Sequence, residues 1–396
     1  MQEVFVGPSR LKGRITPPPS KSMAHRLLIA AALAGVPFSM TGCVGQDVAA
    51  TEACLQALEA PGSEPVLLDC GESGSTLRFL LPVAAALGRS ALFVGSPGLA
   101  RRPLREYGGI LEGKGVRLEF LGPANLPVRV EGRLRGGVFA VPGHISSQYI
   151  TGLLMALPLV QEDSTIELTT PLQSAPYVEL TLGVLDEFGI EVETLPGRGW
   201  RVPGGQGYRA PSRPLALEAD YSQAAFWLVA KFLGHDLEVE QLPDPSLQGD
   251  RVVVSLLDEM AHWPPGEERR LTAAQIPDLV PALAVAACAR PGVTVIEQVQ
   301  RLRWKESDRV RSISTMLRNL GARVFDSGDA LIIEGGEQFT GGTVHSFGDH
   351  RIVMAAAVAA LSSKHGATIV GSEAVAKSYP HFFQELQRLG GDVRGI

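Results

Sequence analysis

The sequence predicts an α/β protein of two domains, and three observations carry the prediction. One device occurs six times along the 396 residues: a short polar opening, then about a dozen almost wholly apolar residues that stop near glycine or proline. A more amphipathic stretch follows each of them. Several of those stretches run through glycine into alternating β-branched residues, the mark of a strand. Six strand-and-helix units in a chain of this length divide into two domains of three, each of ordinary size.

The openings come in order. Ser20-Lys21-Ser22 precedes an apolar run over residues 23–34, Ser73-Gly74-Ser75 one over 77–87, and Ser146-Ser147-Gln148 one over 149–159. Asp220-Tyr221-Ser222 precedes 224–233, Ile276-Pro277-Asp278 precedes 279–289, and Gly348-Asp349-His350 precedes 351–361. A stretch apolar on all sides at this length reads as a buried helix, and Ser, Asp or Gly before it reads as an N-cap. Each helix N-terminus presents unpaired N–H groups and roughly half a positive charge. Six of them are six potential anion sites, which points to a ligand bearing phosphate or carboxylate.

The amphipathic partners read 47–59, 105–114, 178–188, 252–261, 308–320 and 381–389. Phe188-Gly189-Ile190-Glu191-Val192, Leu320-Gly321-Ala322-Arg323-Val324 and Leu389-Gly390-Gly391-Asp392-Val393 then pass from helix to strand. The glycine fits the left-handed position after a helix end.

Composition excludes several classes. With 45% hydrophobic and 20% charged residues the chain is built to bury a core and is not disordered. MQEVFVGPSR lacks the basic and apolar regions of a signal peptide, and the apolar helices are too short and interrupted to span a bilayer. Cys43, Cys54, Cys70 and Cys288 are scattered without CxxC spacing, which suits buried thiols in a reducing cytosol and neither disulfides nor zinc. A formal net charge of −6 argues against a general nucleic-acid binder, so any polyanion site is a local cluster on an acidic background.

Such a cluster is legible. Lys21, Arg26, Arg78, Arg102, Lys305, Arg309, Arg351 and Lys377 lie at or near the caps, often beside Ser or Gly. Singly, each reads as a solvated surface charge. Together they do not, because Lys21, Arg26, Arg78 and Arg351 sit in or beside the most apolar helices, where a cation is costly unless it meets an anion. Two acids also stand apart. Asp278 is either the cap of its helix or a group facing this cationic cluster. Glu306 is either the ion-pair partner of Arg309 one turn on or a second such group. Facing the cluster, both are candidates for acid and base work, held ionised by neighbouring cations until a bound polyanion raises their pKa values.

Nine segments in order resemble the 5-enolpyruvylshikimate-3-phosphate synthase family over essentially the whole chain. They are Ser20-Lys21-Ser22-Met23-Ala24-His25-Arg26, Gly71-Glu72-Ser73-Gly74-Ser75-Thr76-Leu77-Arg78, Arg102-Pro103-Leu104, Ser146-Ser147-Gln148-Tyr149, Ser174-Ala175-Pro176-Tyr177, Pro277-Asp278, Lys305-Glu306-Ser307-Asp308-Arg309, Gly348-Asp349-His350-Arg351 and Ala376-Lys377-Ser378-Tyr379-Pro380. The resemblance implies a two-domain inside-out α/β barrel of six βαβαββ units, with buried helices pointing their N-termini at the interdomain cleft. It places one domain at 20–218 and the other at 1–19 plus 219–396, with two hinge crossings between them. It implies a cytoplasmic, monomeric enzyme of aromatic amino-acid biosynthesis that has no metal or organic cofactor, nucleic-acid partner or membrane attachment. The family moves the enolpyruvyl group of phosphoenolpyruvate onto the 5-hydroxyl of shikimate-3-phosphate and releases phosphate. These two substrates bring roughly five negative charges together, which explains the number of cations.

Residue by residue, the resemblance assigns shikimate-3-phosphate to Lys21, Ser22, Arg26, Ser146, Ser147, Gln148, Ser174, Asp278 and Lys305, with Tyr177 nearby. It assigns phosphoenolpyruvate to Lys21, Gly74, Arg102, Gln148, Arg309, Arg351 and Lys377, with Arg78 close by. Lys21, Asp278 and Glu306 are the candidate catalytic groups. The same pocket accepts glyphosate in the family, and Gly74 leaves the room for it. Glu72, and Arg301 where some members have Asn, depart from the commoner pattern. The sister family acting on UDP-N-acetylglucosamine shares the fold, but its Lys-Asn opening and loop cysteine have no counterpart here. A non-catalytic phosphometabolite binder on the same scaffold is the alternative from another class, and phosphate release separates the two.

Overall fold

A computed structural model describes residues 1–37, 45–62, 65–212 and 217–396. The six apolar stretches are six helices: Lys21–Leu33, Gly74–Ala86, Ser147–Ala156, Tyr221–Phe232, Val280–Ala289 and His350–Leu361. Most residues of each are buried, and in His350–Leu361 all of them are, as a helix with no polar face requires. The amphipathic partners are Gln46–Glu59, Ala175–Glu187, Val253–His262, Arg309–Asn319 and Phe382–Arg388, and Glu106–Ile110 is the sixth. That last helix is much shorter than the expected 105–114, because Gly108 and Gly109 weaken it and the chain turns at Gly113 and Gly115, both at positive φ. The strand expected at 190–192 begins later, at Glu193–Leu195.

The chain divides into two compact units, Lys21–Leu217 and a split unit of Met1–Ser20 with Glu218–Ile396. Each contains two four-stranded sheets with one shared plan. In the first unit Val66–Asp69 runs parallel to Ala91–Val94, which pairs antiparallel with Val128–Gly132, itself antiparallel to Val116–Phe120. Gly137–Pro142, Ser164–Thr170, Gly199–Val202 and Glu193–Leu195 repeat the pattern. In the split unit it recurs in Glu268–Thr272, Gly292–Glu297, Ala330–Gly335 and Arg323–Asp326. It recurs again in Gly342–His345, Ala367–Val370, Glu3–Val6 and Val393–Arg394, so the chain's first strand closes its last repeat. A parallel strand pair requires a crossover, and in each sheet an apolar helix supplies it. Lys12–Ile15 and Asp236–Val239 form a further parallel pair.

Each unit has its own apolar core. In the split unit the helices Tyr221–Phe232, Val280–Ala289 and His350–Leu361 each pack on the other two. In the first unit Gly74–Ala86 lies closely against Ser147–Ala156, and the contact is specific. Pro82 inside the first helix has no N–H to offer the carbonyl of Arg78, one turn back. The Tyr107 hydroxyl donates to that carbonyl instead, at 2.6 Å. Gly152 on the facing helix makes room, since a Cβ there would lie 2.3 Å from the Arg78 oxygen and 2.7 Å from the Tyr107 hydroxyl.

Cys54, Cys70 and Cys288 are free and buried, as expected, while Cys43 lies outside the described residues. Among the described residues no helix is long and apolar enough to cross a membrane.

Candidate active site

The first unit gathers its cations at helix N-termini. Lys21 opens its helix and its Nζ meets Asp47 Oδ2 at 2.9 Å. Asp47 is fixed in turn through its backbone: its carbonyl accepts from Thr76 Oγ1, whose hydroxyl also bonds Ser73 and Thr51. Arg26, one turn after Ser22, is 3% exposed. Its guanidinium donates to Thr181 Oγ1 at 2.8 Å, the Ser22 carbonyl at 2.6 Å, the Tyr177 carbonyl at 2.8 Å and Thr151 Oγ1 at 3.3 Å, and it lies over the Phe79 ring. All of these groups are neutral, and burial lowers the guanidinium's proton affinity.

Arg78 is held the same way, by the Pro103 carbonyl, by Gln148 Oε1 at 2.8 Å and over the Tyr149 ring. Burial, and then the nearby charge of Arg102, lowers its pKa. Gln148 bridges to the next helix, donating to Ser75 Oγ at 3.0 Å. Gly74 lies under both guanidiniums, and a Cβ there would sit 2.7 Å from Arg78 Nη1 and 2.8 Å from Arg102 Cζ. Ser146 caps its helix by accepting from Gln148 N, and Ser147 is buried beside it. Ser174 is fully buried at a left-handed φ of 57°, and its hydroxyl has no hydrogen-bond partner among the described residues. A strained non-glycine residue with an unsatisfied buried hydroxyl is a mark of a ligand site.

The split unit gathers acids with its cations. Asp278 does not cap its helix. Its Oδ1 accepts from Arg309 Nη1 at 2.6 Å and Lys305 Nζ at 3.3 Å, and its Oδ2 lies 3.3 Å from Arg351 Nη2. Burial would raise this carboxyl, but Arg351, Lys305 and Arg309 outweigh it and hold it well below the usual range. Glu306 makes the expected one-turn pair, its Oε2 2.5 Å from Arg309 Nη2. Arg309, 1% exposed in its side chain, also donates from Nε to Asp349 Oδ2 at 2.8 Å. Burial works against its charge, yet Asp349, Glu306 and Asp278 together hold its pKa well above the ordinary value.

Arg351, in the first turn of the His350–Leu361 helix, donates from Nη2 to Ser222 Oγ at 3.0 Å and lies 3.3 Å from Asp278, just ahead of the Val280–Ala289 helix, so the N-terminal ends of all three apolar helices of this unit meet. Lys377 reaches the same place, donating to the Gly348 carbonyl at 2.6 Å. Lys305 is pushed down to about 8, chiefly by burial, with Arg301 and Arg309 adding to it and Asp278 opposing.

Each expected site residue therefore falls into one of two clusters. In the first unit stand Lys21, Ser22, Arg26, Gly74, Arg102, Ser146, Ser147, Gln148 and Ser174. The other contains Asp278, Lys305, Glu306, Arg309, Arg351 and Lys377. Asp47, Ser222 and Asp349 join these clusters through contacts that local sequence does not predict. Asp349 sat inside a quoted motif, but only the fold brings it to Arg309, 40 residues away in sequence. Among the described residues no group of His, Cys, Asp and Glu is arranged to hold a metal ion.

The sequence model of EPSP synthase (3-phosphoshikimate 1-carboxyvinyltransferase) matches residues 6–386. The chain belongs to this family. It is 39% identical to the 3-phosphoshikimate 1-carboxyvinyltransferase of Clostridium acetobutylicum, covering 99% of this chain and 98% of that one. It is 38% identical to the protein of the same name from Clostridium perfringens, over the full length of both. Among solved structures it resembles EPSP synthase from Acinetobacter baumannii, with a TM-score of 0.77 at 24% identity over 99% of this chain and 100% of that one. The enolpyruvyl transferase NikO from Streptomyces tendae gives 0.74 at 18% identity, over 99% of this chain and 98% of that one. At these identities the structures speak for a shared fold.

Proposed function

We propose that this chain transfers the enolpyruvyl group of phosphoenolpyruvate to the 5-hydroxyl of shikimate-3-phosphate and releases inorganic phosphate. Family membership supports the reading, and one observation carries it at the residue level. The buried guanidiniums of Arg26 and Arg78 are hydrogen-bonded to neutral groups, and Arg78 has the charge of Arg102 nearby, a costly state that a bound phosphate or carboxylate relieves. In this reading Ser22, Arg26, Ser146, Ser147, Ser174 and Lys305 hold shikimate-3-phosphate. Lys21, Gly74, Arg102, Gln148, Arg309, Arg351 and Lys377 surround phosphoenolpyruvate.

The chemistry is addition followed by elimination. The hydroxyl oxygen bonds to C2 of phosphoenolpyruvate as the methylene carbon gains a proton, and the tetrahedral product then loses phosphate and returns a proton from the methyl group. Asp278 holds the substrate hydroxyls and is the candidate to take the hydroxyl proton. Its low pKa in the free protein makes it a weak base until substrate anions draw Lys305, Arg309 and Arg351 away from it. Glu306 and Lys21 are the candidates to protonate the methylene carbon.

The finer architecture belongs to the same proposal: the two units are the two three-repeat domains of an inside-out α/β barrel. Three continuous strand-helix-strand-helix-strand-strand runs, and a fourth completed by the chain's first strand, support it. An assay of phosphate release tests the function. Release should require both substrates together, and a protein that binds them without releasing phosphate would leave only the reading as a binder.

A further inference from the structure

Two segments of the first unit cross, each laying a charged side chain over a glycine of the other. The turn from Gly71 to Gly74 leads into the Gly74–Ala86 helix, and Ser96 to Arg102 contains the short Pro97–Ala100 helix. Ser96 N donates to the Gly71 carbonyl at 2.8 Å, which pins the two backbones together. From one side, Arg102 reaches back until its guanidinium lies over Gly74. From the other, Glu72 reaches forward until both carboxylate oxygens lie 3.4 Å from the position a Cβ would take on Gly98. Ser96 Oγ, which caps the short helix through Leu99 N, is equally close to that position. Asn125 fastens the far end, donating to the Arg102 carbonyl at 2.7 Å.

The structure assigns to Glu72 the positioning of Arg102: its carboxylate, seated on Gly98, holds the segment that delivers the guanidinium over Gly74. This rests on the reading of Arg102 and Gly74 as phosphoenolpyruvate contacts. Glu72 touches no reacting atom in that reading. It acts through Arg102, and a small displacement of a substrate-orienting group is costly in rate and affinity.

Two measurements test the assignment, and one needs no substrate. Phenylglyoxal labels accessible arginines, and peptide mass mapping should find Arg102 labelled severalfold faster in Glu72→Ala than in the parent, with Glu72→Asp in between. In turnover, Glu72→Ala should raise the KM for phosphoenolpyruvate about tenfold while kcat and the KM for shikimate-3-phosphate stay within about twofold, and Glu72→Asp should recover part of the loss. Equal rises in both KM values, or Arg102 labelling that does not change, would overturn the assignment. A parent protein without phosphate release would sink the functional reading instead, and the labelling would still decide the role of Glu72. If Glu72→Ala does not fold, Glu72→Gln serves for both measurements.

Discussion

The two clusters solve one problem in opposite ways. In the first unit Arg26 and Arg78 are held by carbonyls, hydroxyls, an amide and aromatic rings, so their charge is positioned but not cancelled. In the split unit Arg309 touches three carboxylates, and Arg351 and Lys305 share one of them. A cation among neutral dipoles keeps its attraction for an incoming anion. A cation among carboxylates is stable without ligand, but an anion must displace an acid to reach it. The first arrangement suits capture of a phosphorylated substrate, and the second keeps acids beside the place where protons move.

The comparison can be broken most directly by removing one cation from each side. Arg309→Met removes the cation that buried Asp349, Asp278 and Glu306 share, leaving Lys305 and Arg351 to Asp278, and should cost about 3–5 kcal/mol of unfolding free energy. Arg26→Met strands only neutral groups, and Thr151 and Thr181 already bond each other, so it should cost about 1 kcal/mol. Urea unfolding of both variants checks this, and equal losses would erase the distinction between the clusters. Glu306→Gln comes next. It keeps shape and hydrogen bonding, so turnover should fall about 10²-fold or more while shikimate-3-phosphate affinity stays within a few-fold. Near-normal turnover would take Glu306 out of the chemistry.

The structure sharpens what a methyl at Gly74 would do. A Cβ there would lie only 2.7 Å from Arg78 Nη1 and 2.8 Å from Arg102 Cζ, so the methyl and the two guanidiniums would compete for the space over residue 74. Gly74→Ala should therefore weaken glyphosate, longer than phosphoenolpyruvate, at least about tenfold more than it weakens the substrate. Inhibition and Michaelis constants for both proteins decide it, and equal losses would mean that Gly74 does not set the pocket's length. The smallest effect is in pH. Lys305, lowered to about 8, carries its charge below that pH and loses it above. Affinity for shikimate-3-phosphate should thus decline as pH rises through about 8, by up to about tenfold per pH unit. Lys305→Arg should shift that decline to higher pH, and calorimetric titration from about pH 7 to about pH 10 would show a flat profile if Lys305 is uninvolved.

Local features of the site were legible in the sequence, and contacts between distant segments were not. The six apolar helices and the caps at Ser73, Ser146, Asp220 and Asp349 follow from short patterns, as does the Glu306–Arg309 pair one turn apart. Asp278 showed the limit: local pattern offered both a cap and a group facing cations, and only the arrival of Arg351 and Lys305 decides for the second. Nothing near Lys21 announces Asp47, 26 residues on, and nothing near Ser222 announces Arg351, 129 residues on. The helix expected over 105–114 is cut to Glu106–Ile110, where paired glycines outweigh the apolar residues.

Pro82, Tyr107 and Gly152 carry a last consequence, for how this protein tolerates change. Three segments meet at the carbonyl of Arg78: one withholds a donor, one supplies it, and one stands aside. Tyr107→Phe would leave that oxygen buried and unsatisfied, a defect that Pro82→Ala could heal by restoring the helix's own N–H. Variation at these positions is therefore conditional, and a change harmful alone becomes acceptable in company. An engineer altering the inner surface of this unit should treat the three as one heritable set.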